Sequence, residues 1–267
     1  MMADQEKDLS LDLLLKIMKA PSILEQYCEV SERAEREGWD FIRFLKELVT
    51  IECEGRRRRK LERLQKRSHL PKAKTLSTFD LSLMPDKIRR IVPKLCEGTF
   101  VDRAENVLAF GLPGRGKTHL ICAIGHELVK REIPVLFSST QEFVSRLLRA
   151  KREYELDLAI KNFDKFPVII LDDIGYVKQS REEMEVLFTF LSERYEHRSV
   201  MITSNLVFSQ WEQIFKDPLT TAAAIDRIIH HSFILEIPES IHSYRMNEAS
   251  RRLGIKGVGD KKRNEKS

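Results

Sequence analysis

Long apolar segments and paired cysteines are both missing from this 267-residue chain. No run of about eighteen apolar residues occurs, so we expect no membrane-spanning helix, and the N-terminal segment is acidic and amphipathic rather than signal-like. The four cysteines are scattered and include no C-x-x-C pair, which argues against a zinc ribbon or a disulfide framework. These absences predict a cytoplasmic protein with no membrane association.

Charge is plentiful but almost balanced. Charged residues make up 33% of the chain, yet the net charge is only +5. Because the average is so mild, the information about partners lies in local clusters of charge. Hydrophobic residues, at 42%, are enough for a substantial core, and the length allows one large domain with or without a smaller appendage.

Residues 111–118 form the most informative stretch, Gly-Leu-Pro-Gly-Arg-Gly-Lys-Thr. They follow a run of strand character and precede a helical pattern, which is the setting of a Walker A phosphate-binding loop. The glycines permit backbone angles that side chains forbid, so successive N–H groups can surround a phosphate at the start of a helix. Lys117 is predicted to reach the β- and γ-phosphates of ATP, and the Thr118 hydroxyl to ligate Mg²⁺. The predicted nucleotide contacts are Gly111, Pro113, Gly114, Arg115, Gly116, Lys117, Thr118 and His119.

A second candidate element is the apolar run 168–171, which is followed by Asp172 and Asp173. A continuously apolar strand is typical of the centre of a parallel sheet, whose carboxyl end faces the ligand crevice. We expect Asp172 to hold Mg²⁺, and Asp173, on the other side of the pleat, to orient or deprotonate the attacking water. An aspartate is shorter than the glutamate common at this second position in such ATPases, which predicts slow or partner-dependent turnover.

Two further polar residues are candidates for the catalytic site. Asn205 follows another buried strand, where its amide would contact the attacking water or the γ-phosphate; a helix or turn cap is the competing interpretation. Arg227 lies in a helical segment before the last strand and would stabilise transition-state charge, within its own subunit or across an interface. A surface arginine paired with an acid explains Arg227 equally well.

The first seventy residues have helical periodicity throughout, and the third helical segment, at about 39–68, carries a dense basic cluster. Within this cluster only Glu62 opposes the positive charge, and no aromatic residue occurs. A charge run is most often a solvated face, but this concentration on about three turns of one helix favours contact with nucleic-acid phosphates. The residues predicted to bind DNA here are Arg56, Arg57, Arg58, Arg59, Lys60 and Arg63, and Lys66 and Arg67 extend the cluster.

Strands and helices alternate in the remainder of the chain, which predicts an α/β fold with a parallel sheet between two layers of helices. Residues 69–78 contain a proline and no periodicity, as a linker does. We therefore expect a helical N-terminal DNA- or partner-binding domain, 1–70, an ATPase domain, 71–252, and a basic disordered tail, 253–267.

Three phrases of the sequence resemble the IstB/DnaC group of AAA+ ATPases. They are Gly-Leu-Pro-Gly-Arg-Gly-Lys-Thr-His-Leu at 111–120, Leu-Asp-Asp-Ile-Gly-Tyr at 171–176 and Ile-Thr-Ser-Asn-Leu-Val-Phe-Ser-Gln-Trp at 202–211. These phrases, and the N-terminal helices with their basic end, resemble the IstB transposition helpers of insertion sequences more than the DnaC helicase loaders. By this resemblance the catalytic residues would be Lys117, Asp172, Asp173, Asn205 (sensor I) and Arg227 (arginine finger).

The resemblance also implies a fold, an activity and partners. The fold would be a P-loop AAA+ sheet with a small helical N-terminal domain and no obvious lid, since little chain follows Ile237. The activity would be hydrolysis of ATP with Mg²⁺, coupled to assembly of a homo-oligomeric ring or spiral on duplex DNA with little sequence specificity. The partner would be the transposase of the same element. The initiator and loader branch carries an extra helix, here within 141–162, where Arg149, Lys151 and Arg152 would contact DNA.

Three other functions fit parts of the sequence. A helicase loader of the DnaC type would act with a replicative helicase on single-stranded DNA, whose binding usually relies on aromatic stacking that the basic cluster lacks. A small-molecule kinase would need an arginine-rich lid, which is not evident. A non-enzymatic DNA-bridging protein would not need an intact Lys117, Thr118 and Asp172. An ATP-dependent helper of transposition is therefore the leading hypothesis, and the loader is the alternative.

Overall fold

The computed structural model of the protein describes residues 10–175, 180–206 and 228–238. The chain divides into two compact units, Met1–Arg63 and Leu64–Ser267. The boundary between them falls inside a continuous helix.

Three helices form the described part of the first unit. They are α1 (Leu11–Ile17), α2 (Pro21–Glu37) and α3 (Phe41–Ser68), the last of which continues into the second unit. Pro21 opens α2 at a position where its missing N–H costs no hydrogen bond, and Gly38 ends the helix in the left-handed conformation, with φ at 63°. The three helical segments expected from the sequence are therefore present, because their start and stop signals are local.

Besides the end of α3 and two short 3-10 helices, Leu76–Thr78 and Leu81–Leu83, the described part of the second unit contains six α-helices and five strands. The helices are α4 (Asp86–Glu97), α5 (Thr99–Asp102), α6 (Lys117–Lys130), α7 (Thr140–Arg152), α8 (Leu156–Phe163) and α9 (Arg181–Arg194). The strands are β1 (Asn106–Phe110), β2 (Val135–Ser139), β3 (Val168–Ile174), β4 (Ser199–Ser204) and β5 (Ser232–Glu236). The helix predicted near 219–230 lies outside the described residues except for its helical end at 228–230, and residues 239–267 lie outside them entirely.

All five strands are parallel, in the order β2-β3-β4-β1-β5. Strand β1 therefore lies between β4 and β5. Phe110, at the carboxyl end of β1, is in register with Ser204 at the carboxyl end of β4. Because parallel strands end at one edge of the sheet, the loop after β1 begins beside the polar residues that end β4.

Helices cover both faces of the sheet, as the alternation of elements predicts. Val107 and Ala109 of β1 belong to the hydrophobic cluster that contains residues of α4 and α6. Leu108 and Phe110 belong to the cluster on the other face, formed with residues of α7, α8 and α9. Successive side chains of a strand point to opposite faces, so a strand buried on both faces is mostly apolar, and its buried polar residues must find hydrogen-bond partners.

The segment expected to be a linker, 69–78, is instead packed against α6. Leu70 is buried, and a Cβ added to Gly125 would lie 3.2 Å from the Leu70 side chain. The backbone carbonyl of Pro71 lies 3.1 Å from Nε2 of the buried His126. Leu76–Thr78 forms a single turn of 3-10 helix in this segment, which is too short to give a periodic pattern in the sequence.

Candidate nucleotide-binding site

The loop between β1 and α6 has the backbone of a phosphate-binding loop. Gly111, Gly114 and Gly116 have φ angles of 148°, 79° and 91°, in the region that side chains disfavour. A Cβ on Gly111 would lie 2.7 Å from the carbonyl oxygen of Ile237, so this glycine is also required by close packing. The loop ends where α6 begins at Lys117, which places the positive end of the helix dipole at the loop.

Lys117 extends back over this loop. Its side chain is buried, and Nζ donates to the carbonyl oxygens of Gly111 at 2.8 Å and Leu112 at 3.0 Å. Nζ also donates to Oδ1 of Asn205 at 2.5 Å. A charged amine that donates to three carbonyl oxygens, two of the backbone and one of an amide side chain, is well defined in position.

Asn205 connects the lysine to the acidic end of β3. Its Oδ1 accepts from Lys117, and its Nδ2 donates to Oδ1 of Asp173 at 3.2 Å. Lys117, Asp173 and Asn205, three of the residues predicted from separate parts of the sequence, therefore lie in one hydrogen-bonded network.

The two aspartates lie on a β-bulge. The register between β3 and β4 is regular to Leu171 and shifts before Ile174, and Asp173 has a left-handed φ of 57°. The simple alternation along the pleat, on which the sequence-based placement of Asp173 rested, therefore stops at the bulge. Both carboxylates are half-buried at the end of the strand.

Sequence reasoning missed Thr203, which is fully buried beside this bulge. Its hydroxyl donates to Oδ1 of Asp172 at 2.6 Å and accepts from the N–H of Asp173 at 2.8 Å. The neighbouring Ser204 donates to the carbonyl oxygen of Ile174 at 3.0 Å. The signal in the sequence that could have identified Thr203 is the pair Thr203 and Ser204, two hydroxyl residues that follow the apolar run 200–202 at the end of β4.

Two of the predicted nucleotide contacts remain to be placed, His119 in the first turn of α6 and Arg115 in the loop. Nε2 of His119 lies 3.2 Å from the carbonyl oxygen of Thr75 and 3.1 Å from Oγ1 of Thr78. Burial lowers the pKa of His119 below its ordinary value. Nε of Arg115 is buried and has no hydrogen-bond partner among the described residues.

The basic cluster of α3 separates into two groups in the first unit. Arg56 Nε and Arg59 Nη2 donate to Oε1 of the buried Glu52, at 2.9 and 3.0 Å, and Ser22 N donates to Oε2 at 2.8 Å. Burial opposes the ionisation of Glu52, but the hydrogen bonds from Arg56 and from the backbone outweigh it and lower its pKa. Arg56 and Arg59 therefore hold the start of α2, although the Arg56 side chain is also exposed, and Arg57, Arg58, Lys60 and Arg63 are exposed as well.

The basic residues predicted on α7 are not equivalent. Arg149 and Arg152 are exposed, and Lys151 forms an ion pair with Glu185 of α9 at 2.9 Å.

Arg227, the predicted arginine finger, lies outside the described residues. In the described segments, no helix is long and apolar enough to cross a membrane.

Comparison with solved structures supports the fold. The chain superimposes on the structure of DnaI with a TM-score of 0.53 and 24% identity, over 64% of this chain and 95% of that one. The DnaC helicase loader gives a TM-score of 0.54 and 21% identity, over 62% of this chain and 98% of that one. The chain therefore has the fold of these structures, a parallel sheet flanked by helices, as predicted.

Sequence relatives cover nearly the whole chain. It is 40% identical over 240 residues to a protein of Sinorhizobium fredii that is named as an insertion sequence ATP-binding protein, over 90% of this chain and 80% of the relative. It is 36% identical over 245 residues to a protein of Pseudomonas aeruginosa named as the ATP-binding protein of insertion sequence IS21. This match covers 92% of this chain and 91% of the relative. The family model described as IstB-like ATP binding protein matches residues 13–252. Because the family model spans most of the chain and these relatives match it over nearly its whole length, the protein belongs to the IstB-like ATP-binding family.

Proposed function

We propose that this protein is a cytoplasmic ATPase that binds ATP, assembles as a homo-oligomer on duplex DNA and presents that DNA to the transposase of the same insertion sequence. The observation that carries the proposal is the network of Lys117, Asn205 and Asp173 at the phosphate-binding loop. We also propose the domain limits given by the sequence, with DNA or partner binding in 1–70 and ATP hydrolysis in 71–252.

Features of the loop support ATP as the ligand. The glycine backbone and the start of α6 offer N–H groups and a positive dipole to phosphates, and the buried Nε of Arg115 is a further donor. Lys117 exchanges its carbonyl contacts for phosphate oxygens in this proposal. The names of the relatives refer to ATP binding, which agrees with this ligand.

The donor set also suits Mg²⁺, because the Thr118 hydroxyl and the Asp172 carboxylate supply the oxygen ligands that this ion prefers. When bound, Mg²⁺ would neutralise charge on the β- and γ-phosphates. The protein's own groups would do the remaining work. Asp173 accepts a proton from the attacking water or orients it, and Asn205 fixes the position of Asp173 by donating to its carboxylate. We propose Arg227 as the group that stabilises transition-state charge.

DNA binding is proposed for exposed arginine and lysine side chains on both units. Arg57, Arg58, Lys60 and Arg63 of α3, together with Arg149 and Arg152 of α7, are exposed to solvent. Such side chains bind the phosphate backbone and carry little sequence preference. ATP-dependent assembly would multiply the modest affinity of each subunit through effective concentration.

The alternative, a DnaC-type loader of a replicative helicase, has less support. Its similarity to this chain is below 25% identity and concerns the fold. The relatives named for insertion sequences reach 40% identity over 90% of the chain. The difference in identity and in coverage favours transposition.

The test is binding to a labelled duplex of neutral sequence with ATP, with ADP and without nucleotide, while the size of the complexes is monitored. We expect large complexes that require ATP, and we expect Lys117→Ala to abolish them. Asp173→Ala should bind DNA but fail to release it. Lys130→Ala, at the exposed far end of the same helix, is the matched control and should behave as the wild type. Unchanged ATP-dependent binding by Lys117→Ala would contradict the proposal, and a preference for a single-stranded competitor would favour the loader.

A further inference from the structure

The bulge at the end of β3 creates a local problem in hydrogen bonding. Leu171 pairs with Ile202, and the next paired position is Ile174 with Ser204, so Asp172 and Asp173 together face Thr203. A bulge of this kind leaves backbone groups without their regular ladder partners. In a buried strand end, an unsatisfied N–H is destabilising, because its hydrogen bond to water is lost without replacement.

The Thr203 hydroxyl solves this problem with one oxygen. It accepts the N–H of Asp173 at 2.8 Å, so its own proton is directed to Oδ1 of Asp172 at 2.6 Å. Because a hydroxyl has a single proton and the carboxylate only accepts, the direction of both bonds is determined. The side chain is fully buried, so no water competes for either bond.

We infer that Thr203 is a positioning residue for Asp172: it holds the carboxylate through Oδ1, and Asp172 would hold Mg²⁺ with its carboxylate fixed in this way. The inference rests on the proposed ATP site and adds to it a residue that neither the loop motif nor the acidic motif contains. A hydrogen bond behind a metal-binding carboxylate restricts its rotation, which lowers the entropic cost of binding the ion. Thr203 therefore affects the Mg²⁺ requirement of nucleotide binding more than the affinity for the nucleotide alone.

The chain offers a matched control on the same aspartate. Thr140, at the start of α7, is also buried, and its hydroxyl donates to the backbone carbonyl of Asp172 at 2.9 Å. Thr203→Val and Thr140→Val each remove one buried hydroxyl and keep the shape of the side chain. Thr203→Val loses the bond to the Asp172 carboxylate as well as a bond to backbone, whereas Thr140→Val loses a bond to backbone and leaves the carboxylate contact in place.

The experiment measures equilibrium binding of a fluorescent, non-hydrolysable ATP analogue to the full chain, with EDTA and across a Mg²⁺ titration. For Thr203→Val we expect the Mg²⁺ concentration at half-saturation to rise about tenfold, the size usual for lost support behind a metal ligand, with affinity in EDTA changed less than about twofold. Thr203→Ser keeps the hydroxyl, so its Mg²⁺ concentration at half-saturation should equal that of the wild type. Thr140→Val should also titrate as the wild type does.

Two outcomes would overturn the inference. One is a Thr203→Val titration equal to that of the wild type, and the other is an equal shift in Thr140→Val, which would assign the effect to general packing. If Thr203→Val does not fold, the pair Thr203→Ser and Thr203→Ala isolates the same oxygen atom, and equal titrations of that pair overturn the inference. Failure of the wild type to bind the analogue would refute the proposed function instead, so the two failures are distinct.

Discussion

Glu52 of the first unit provides the clearest quantitative prediction, because one buried carboxylate holds two helices together. It accepts hydrogen bonds from Arg56 and Arg59 of its own helix and from the N–H of Ser22 at the start of α2. Glu52→Gln keeps the size of the side chain but replaces one of its two acceptor oxygens by an NH₂ group, a donor that faces the donors on that side of Glu52. The change therefore removes the charge and leaves N–H groups without their partner.

The size of the effect follows from the exposure of the partners. Breaking a fully buried ion pair costs about 3–5 kcal/mol. Here the arginine side chains are 58% and 37% exposed, so water can replace part of the lost interaction. We expect a loss of about 2 kcal/mol in the local stability of α2, which is about thirtyfold in its opening equilibrium.

Hydrogen exchange of the full chain, followed by mass spectrometry, measures this opening directly. Peptides from the first turns of α2 should lose about thirtyfold in protection, whereas those from β3 and β4 should not change. Glu54→Gln, an exposed position on the same helix, is the matched control and should leave exchange unaltered. The reasoning is refuted if α2 retains wild-type protection in Glu52→Gln or loses as much in Glu54→Gln.

The pH dependence has a defined sign. The folded state lowers the pKa of Glu52 below its ordinary value of 4.5. A lowered pKa contributes stability that is fully present above the unfolded value and is lost as pH falls through the folded value. The difference in protection between the wild type and Glu52→Gln should therefore be constant near neutral pH and shrink below about pH 4.5. A difference that grew on acidification would contradict this assignment of the charge.

Two further predictions concern catalysis and DNA. Asn205→Ala should lower kcat for ATP hydrolysis by about tenfold to a hundredfold, because Asp173 loses its donor, and should change KM little, since the loop backbone remains. Steady-state kinetics test this, and a raised KM with unchanged kcat would show that Asn205 serves binding alone. The double variant Arg58→Gln and Arg63→Gln should weaken duplex binding and reduce its salt slope by roughly 2 per subunit, with no loss of stability. Titrations at several salt concentrations measure the slope, and an unchanged slope would place the DNA contact elsewhere.

Much of this protein could be predicted from its sequence, because the relevant signals are local. The glycine spacing at 111–116 specifies a backbone that only glycine adopts easily, and the structure has positive φ angles at all three glycines. The apolar runs before Phe110, Asp172 and Asn205 specify strands buried on both faces, which the five-stranded parallel sheet confirms. The helices of the first unit likewise begin and end at local signals such as Pro21 and Gly38.

The tertiary structure alone decided which of these polar groups meet. The bulge at Asp173 depends on the register between β3 and β4, and Thr203 reaches both aspartates across a separation of about thirty residues. The same is true of Glu52, which joins Arg56 and Arg59 of the basic cluster to the start of α2. Periodicity reports which face of a strand or helix is buried, but it carries no information about partners distant in sequence. Those contacts exist only once the hydrophobic faces have packed and brought the strand ends and helix termini together.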